Sequence, residues 1–415
     1  MAVGRSYVGR VSRWWLLVGT AALAGCGGPD ALGAWPAALV VRSPGIQTGL
    51  IGYPVNDRPA VRLLDAEGNP IQGAAVTFTV TGGGGSVTSS LATTGSDGVA
   101  TVGNWTIGAG SNTLQASIPA PFRVAPVLFG ATGVGQAYQI SLLYITPPSA
   151  SNQAAFDAAA ARWQVMIFGD VPDLPVTLAP GSCLGNEPAI NQVVDDVLIF
   201  VTLDSIDGPG NILGASTPCY VRSAGLTPII GAMVFDTADL ADIDSLGLLE
   251  PVIVHEMGHV LGFGTIWTDL NLLAGAVSGG GTDPHFTGPK ALAAFDRIGG
   301  SAYTGGLKVP VEDSGGPGTT DGHWRESVFG NELMTGFVSL GANPLSIVTV
   351  ASMGDEGYVV NYSGADTYTH TFNVAPLPGP GAAAGPRRIP LGNDILRAPI
   401  HTMDSSGRVT GVYRP

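Results

Sequence analysis

Basic charge is scarce in this chain. Its 415 residues include 18 Lys and Arg against 32 Asp and Glu, for a net charge of −14, and charged residues are only 12% of the total. Phosphate binding needs clustered Lys and Arg, so this balance argues against nucleic acid as a partner. It argues equally against docking on an anionic membrane surface by charge alone. Cysteine is scarcer still, with three residues, too few for a dense disulfide framework. No stretch beyond the N-terminus has 18 uncharged apolar residues, so no later transmembrane helix is expected. The 61 Gly and 31 Pro punctuate the chain too often for a coiled coil or a helical bundle. What remains is a chain with 45% hydrophobic residues, ample for a buried core, and a length that suits two or three domains.

The N-terminus has Arg5, Arg10 and Arg13 with no acid, and then an uncharged, mostly apolar run from Trp14 to Gly25. That run is too short to span a bilayer and has the layout of a secretory signal. Leu23-Ala24-Gly25-Cys26 follows at once and resembles the lipobox of bacterial lipoproteins. The resemblance implies a signal peptide over residues 1–25, acylation of Cys26, and a lipid as the only membrane anchor. The expected location is the cell envelope, at the outer membrane or cell surface. An exported chain meets an oxidising compartment, so Cys183 and Cys219 are expected to pair. Closing that loop of 36 positions would contribute roughly 4 kcal/mol by chain entropy.

Residues 26–37 are Gly, Pro and Ala rich and read as a tether. From 38 to 131 short strands alternate with turn clusters. Val76, Phe78 and Val80 alternate with threonines, as do Leu114, Ala116 and Ile118 with their neighbours, and the turns recur about every ten residues. This predicts an all-β sandwich, and the wording "DAEGNPIQGAAVTFTV" resembles bacterial Ig-like modules. Such a module is expected to space its neighbour or to engage a surface partner.

The character changes at about 137. Strands are expected at 138–145, 193–201 and 229–235. A helix is expected over 151–168, with Phe156, Ala160, Trp163 and Ile167 on one face. A last helix should open at Asn343-Pro344 and run to about Gly354. Strands and helices mix without strict alternation, so residues 137–370 read as an α+β domain. Residues 371–415 read as a Pro/Gly-rich C-terminal tail, with a hairpin conceivable near its end.

The sharpest signal is His255-Glu256-Met257-Gly258-His259. With 6 His, chance would produce this motif only about 0.002 times in such a chain. Residues four apart on a helix lie about 40° apart around the axis. Two imidazoles so placed can aim at one tetrahedral zinc ion while Glu256 stands beside it. Catalytic zinc sites usually take three protein ligands and a water. Gly262 allows a sharp turn after the helix, but Thr265 stands where a third His would follow in the usual metzincin. The residues alone leave the third ligand open among His285, His323, His370 and His401, with Asp269, Glu326 and Glu332 as acidic rivals.

The segments "HEMGHVLGFG", "DGHWRESVFGNELMTGF" and "LSIVTVASMGDEGYVVN" resemble the leishmanolysin family of zinc endopeptidases. In that family about sixty residues separate the helix motif from the third His. His323 lies 64 positions after His259, and Met334 follows eleven later, where the family has its Met-turn. The resemblance spans about 137–370. It implies a zincin/metzincin fold, one Zn2+ held by His255, His259 and His323, Glu256 as general base, Met334 beneath the site, and a protein or peptide substrate. It also implies an extended substrate along an edge strand of the sheet, for which Ile229–Phe235 is the candidate. Two features depart from the family: the chain has at most one disulfide, and no Cys lies between Cys26 and Cys183 to block a zinc ion. Any control of activity must therefore work otherwise. The competing expectation is a non-catalytic surface adhesin that uses the Ig-like module.

Overall fold

The computed structural model describes residues 35–372 and 388–413. The expected signal segment, Cys26 and most of the expected tether lie outside the described residues.

The N-terminal unit is a sandwich of two sheets. One has strands Ala38–Val41, Ala60–Leu64 and Val99–Thr101. The other is ordered Ile46–Leu50, Val127–Val134, Gly110–Ser117, Ala75–Gly82 and Leu91–Thr93. Period-two patterning puts Val76 and Phe78 inward from one strand and Leu114 and Ala116 from the next, against Val61, Leu63, Trp105 and Phe129. Asn56 ties this unit to the second domain: its side-chain amide donates to Val360 O at 2.7 Å and its carbonyl accepts from Tyr362 N at 2.8 Å.

The second domain is built on a six-stranded sheet. In chain order its strands are β1 (Ile140–Tyr144), β2 (Val197–Asp204), β3 (Gly214–Arg222), β4 (Pro228–Asp236), β5 (Ile400–Met403) and β6 (Val409–Tyr413), and their spatial order is β1-β2-β4-β3-β5-β6. β1, β2 and β4 run parallel, β3 runs antiparallel to β4, and β5 joins β3 in parallel. Helix α1 (Ala150–Met166) is capped by Ser149, whose hydroxyl accepts from Asn152 N, and buries Phe156, Ala159, Ala160, Trp163 and Met166. Helix α2 (Leu249–Val260) is buried from Val252 to Val260, as a helix that is apolar on nearly all sides must be. Trp163 Nε1 donates to Val254 O at 2.9 Å and locks α1 to α2. Among the described residues no helix is long and apolar enough to cross a membrane.

The structure corrects several expectations. The strand expected at 193–201 is two, Ile190–Val194 and β2, because Asp196 takes a positive φ of 55° and breaks the run. Ile229–Phe235 is no edge: as β4 it is paired on both sides. The last helix, α3 (Ile347–Asp355), begins under a Ser346 cap, and Asn343 instead closes the preceding turn by accepting from Ser339 N at 2.7 Å. The region 371–415 is not simply a tail. Residues 388–390 pair with 337–339, and β5 and β6 extend the main sheet. Its alternating Ile400 and Thr402 face the core, which the local Pro/Gly composition masked. Cys183 and Cys219 form a disulfide with Cα atoms 5.5 Å apart.

Candidate metal centre

Helix α2 carries His255 and His259 one turn apart. Their ring centroids are 4.7 Å apart. The chain leaves the helix through Gly262 and Gly264, both with positive φ (122° and 74°). A Cβ on Gly264 would collide with the carbonyl of Gly322, so this glycine lets the loop bearing His323 close on the helix end. His323 thereby reaches the same point in space. Its Nε2 stands 3.2 Å from that of His255 and 3.0 Å from that of His259, and the His255–His259 pair is 3.0 Å.

Each ring is oriented from behind by a backbone carbonyl. His255 Nδ1 donates to Leu333 O at 2.7 Å, His259 Nδ1 to Phe263 O at 2.8 Å and His323 Nδ1 to Thr319 O at 2.9 Å. With the proton fixed on Nδ1, three Nε2 lone pairs converge, and such a set asks for a cation between them. A tetrahedral ion with bonds of about 2.1 Å would sit among donors roughly 3.4 Å apart, so the triad fits a zinc ion. Burial depresses the basicity of His255 and His259, and for His259 the neighbouring imidazoles add to this. Both are thus held in the neutral form that binds metal. For His323 burial is again the largest influence and acts downward, but the charge and hydrogen bond of Asp394, the Thr319 carbonyl and the charge of Glu312 together outweigh it, and the net direction is upward.

Glu256 is fully buried beside the rings. Its Oε2 accepts from Ser216 Oγ at 2.8 Å, while Oε1 has no hydrogen-bond partner. Burial, and then the charge of Asp394, push its carboxyl well above the ordinary range, with the Ser216 hydroxyl acting against them. A raised carboxyl near a site is suited to exchange a proton near neutral pH.

Met334 lies fully buried under α2. A Cβ on Gly258 would come within 2.8 Å of the Met334 methyl and 3.2 Å of its sulfur, so Met334 packs directly against the helix backbone at this glycine. Glu332 sets the turn before it, accepting from Met334 N, Ser346 N and Thr349 Oγ1.

The other candidates lie elsewhere. His285 is in a short strand with Nδ1 on Asp283 O, His370 stacks on Tyr368, and His401 stacks on Tyr220 in β5. Asp269 is half-buried in a loop after α2, and Glu326 pairs with Arg388.

Two residues of the centre escaped the sequence. Ser216 comes from β3, which is not among the strands expected from the sequence. Asp394 comes from the C-terminal region, with Oδ2 at 3.1 Å from both His255 Nε2 and His323 Nε2. His255, His259, His323 and Asp394 each offer one ligand atom, all within 4.8 Å of one another. No local pattern marks either residue.

Comparison with known proteins agrees with this layout. Residues 189–375 match the family model described as leishmanolysin, and residues 58–123 match that of the bacterial Ig-like domain, group 1. A leishmanolysin homolog of Crithidia fasciculata is 30% identical over 178 residues, which are 41% of this chain and 26% of that protein. The chain thus spans about a quarter of that relative's length. Among solved structures, domains 4–9 of the surface layer protein SbsC align at 21% identity over 24% of this chain and 14% of theirs, with a TM-score of 0.19. The D00–D0 domain of intimin aligns at 15% identity over 23% and 46%, with a TM-score of 0.18. Residues 58–123 are thus similar to bacterial Ig-like domains, and residues 189–375, which contain the three histidines, to leishmanolysin.

Proposed function

We propose that this protein is a zinc-dependent endopeptidase that cleaves peptide bonds in proteins. The observation that carries the reading is the convergence of three Nε2 atoms, each ring with its Nδ1 proton committed to a carbonyl, next to a buried glutamate with one unpartnered oxygen. His255, His259 and His323 would hold the ion. When bound, zinc supplies Lewis-acid polarisation of a carbonyl and acidifies a neighbouring water.

The chain's own residues then do the proton work. Ser216 holds Glu256 Oε2, which leaves Oε1 to take a proton from the attacking water. The water oxygen bonds to the peptide carbon, the C–N bond breaks, and Glu256 returns the proton to the leaving amine. Met334 and the Glu332 turn support the rings from below and keep their spacing.

The test uses the purified chain and an Asp394→Asn variant on a peptide library. One or both should show cleavage that a chelator abolishes and that Glu256→Ala lacks. Absence of chelator-sensitive cleavage in both would overturn the reading. No observation here favours the non-catalytic adhesin. Export, acylation of Cys26 and an envelope location belong to the same proposal. Intact mass spectrometry of the membrane fraction checks them, and an unprocessed, unacylated N-terminus would refute that part.

A further inference from the structure

Four protein donors close a zinc site, whereas a hydrolytic site keeps one position open. Here the open position is filled. Asp394 Oδ2 stands 3.1 Å from two of the three metal-facing nitrogens, and His255, Glu256, His259, His323 and Asp394 all expose 0% of their surface. A peptide bond cannot reach a centre buried this way.

The residues around Asp394 reach their place by a set of specific contacts on both sides of the site. On the side of the sheet, Ser216 N donates to Asp394 O at 2.8 Å and Leu396 N donates to Ser216 O at 2.9 Å. Both backbone groups of the strand residue nearest the site are therefore spent on residues 394–396. The pairing is parallel and leads on to β5, which pairs with the far end of β3. On the side of the third histidine, Gly318 N donates to Asn393 Oδ1 at 3.1 Å, Thr319 Oγ1 donates to Gly392 O, and Arg397 Nε donates to Pro317 O at 3.0 Å. The Ile395 side chain lies against Gly322, next to His323, so that a Cβ there would have to push aside its terminal methyl. Residues 392–397 thus cross the centre from one lip to the other.

We propose that Asp394 is a built-in fourth metal ligand, and that residues 392–397 hold the folded chain in a closed, latent form by occupying both the open metal position and the backbone edge of β3. This rests on the three imidazoles being a zinc site. Opening requires residues 392–397 to be displaced, and with them go the carboxylate and the strand that compete with a peptide. The chain would then need no blocking cysteine, since a carboxylate does the same work.

The test compares the full-length zinc-loaded chain with Asp394→Asn, which keeps the side-chain shape but weakens the ligand. Zinc content is measured first, then binding of acetohydroxamate, a small chelating probe that needs a free metal position, by calorimetry, and then cleavage of a fluorogenic peptide. A block that leaves only a minor open fraction lowers apparent affinity by that fraction. Asp394→Asn is expected to bind the probe at least about tenfold more tightly than the natural chain, with cleavage raised alongside. A second variant, Asn393→Ala with Arg397→Ala, leaves the ligand in place and loosens the exposed clamps. It should shift probe affinity in the same direction by a smaller factor. Equal probe binding by the natural chain and a folded, zinc-loaded Asp394→Asn overturns the proposal. Should Asp394→Asn not fold, an unchanged affinity in the clamp variant overturns it instead. Absence of zinc from every variant would sink the metal-site reading itself, which is a different failure.

Discussion

The two domains put their buried polar groups to different uses. The sandwich core is a plain apolar interior of Val61, Val76, Phe78, Trp105, Leu114 and Phe129, with Thr94 and Asn112 as its buried polar residues. Both serve turns: Thr94 Oγ1 accepts from Ala74 N, and Asn112 closes the 108–112 loop. The second domain buries Glu256, Glu332, Glu356, Asp394 and three imidazoles. Burying ionisable groups costs stability unless they are paired or hydrogen-bonded. Among the described residues the sandwich buries no ionisable side chain and bears no such cost. The second domain bears it at several places, Asp196, Arg222 and Asp236 among them, and at the three imidazoles Glu256 and Asp394 each leave one oxygen unpartnered. The converging imidazoles and the buried carboxylates beside them thus lie in the second domain, and the buried polar residues of the sandwich serve its turns.

Substitutions can break this contrast. The largest effect is expected from Glu256→Ala, which should keep zinc and fold while peptide cleavage falls about 10²–10⁴-fold. It is best measured in the Asp394→Asn background as well as in the natural chain, and unchanged turnover would remove Glu256 from the chemistry. Next comes Phe78→Ala in the sandwich. It should cost about 3–5 kcal/mol of that domain's stability, seen by calorimetry as a shift in one unfolding transition, with cleavage untouched. If cleavage fell in step, the domains would not be separable in the way described.

Glu332→Ala would leave the donors of Met334, Ser346 and Thr349 unmet in a buried place. A loss of about 3 kcal/mol is expected, together with weaker zinc retention in a chelator competition, because the turn under the rings loosens. Stability loss with unaltered zinc affinity would separate Glu332 from the centre. The smallest effect belongs to the joint between the domains. Asn56→Ala removes two half-buried hydrogen bonds to the 360–362 segment, worth about 1–2 kcal/mol together, and should lower the midpoint of thermal unfolding slightly without changing cleavage.

The parts that could be read from sequence are those whose signal is local. Helix α2 announces itself because residue type and helical spacing coincide within five positions. The sandwich strands do so because Val76 and Phe78 alternate with threonines. His323 and Met334 needed the family resemblance, since nothing in a 64-residue separation predicts proximity. β3 was hidden by Pro218, which ordinarily argues against an interior strand. Here it is accommodated by a register shift between Pro218 and Tyr220. Asp394 was hidden most thoroughly. Its role comes from tertiary pairing with Ser216 and from loops at 316–322, and its own neighbourhood, Leu391-Gly-Asn-Asp-Ile395, has no helical or metal-ligand spacing.

The central claim is that three distant imidazoles form one metal site, and zinc stoichiometry tests it most directly. Elemental analysis of the purified chain should find one zinc per molecule, and His323→Ala should lose most of it under mild chelation while remaining folded by circular dichroism. A chain that binds no zinc, or a His323→Ala variant that holds zinc as firmly as the natural chain, would contradict the account.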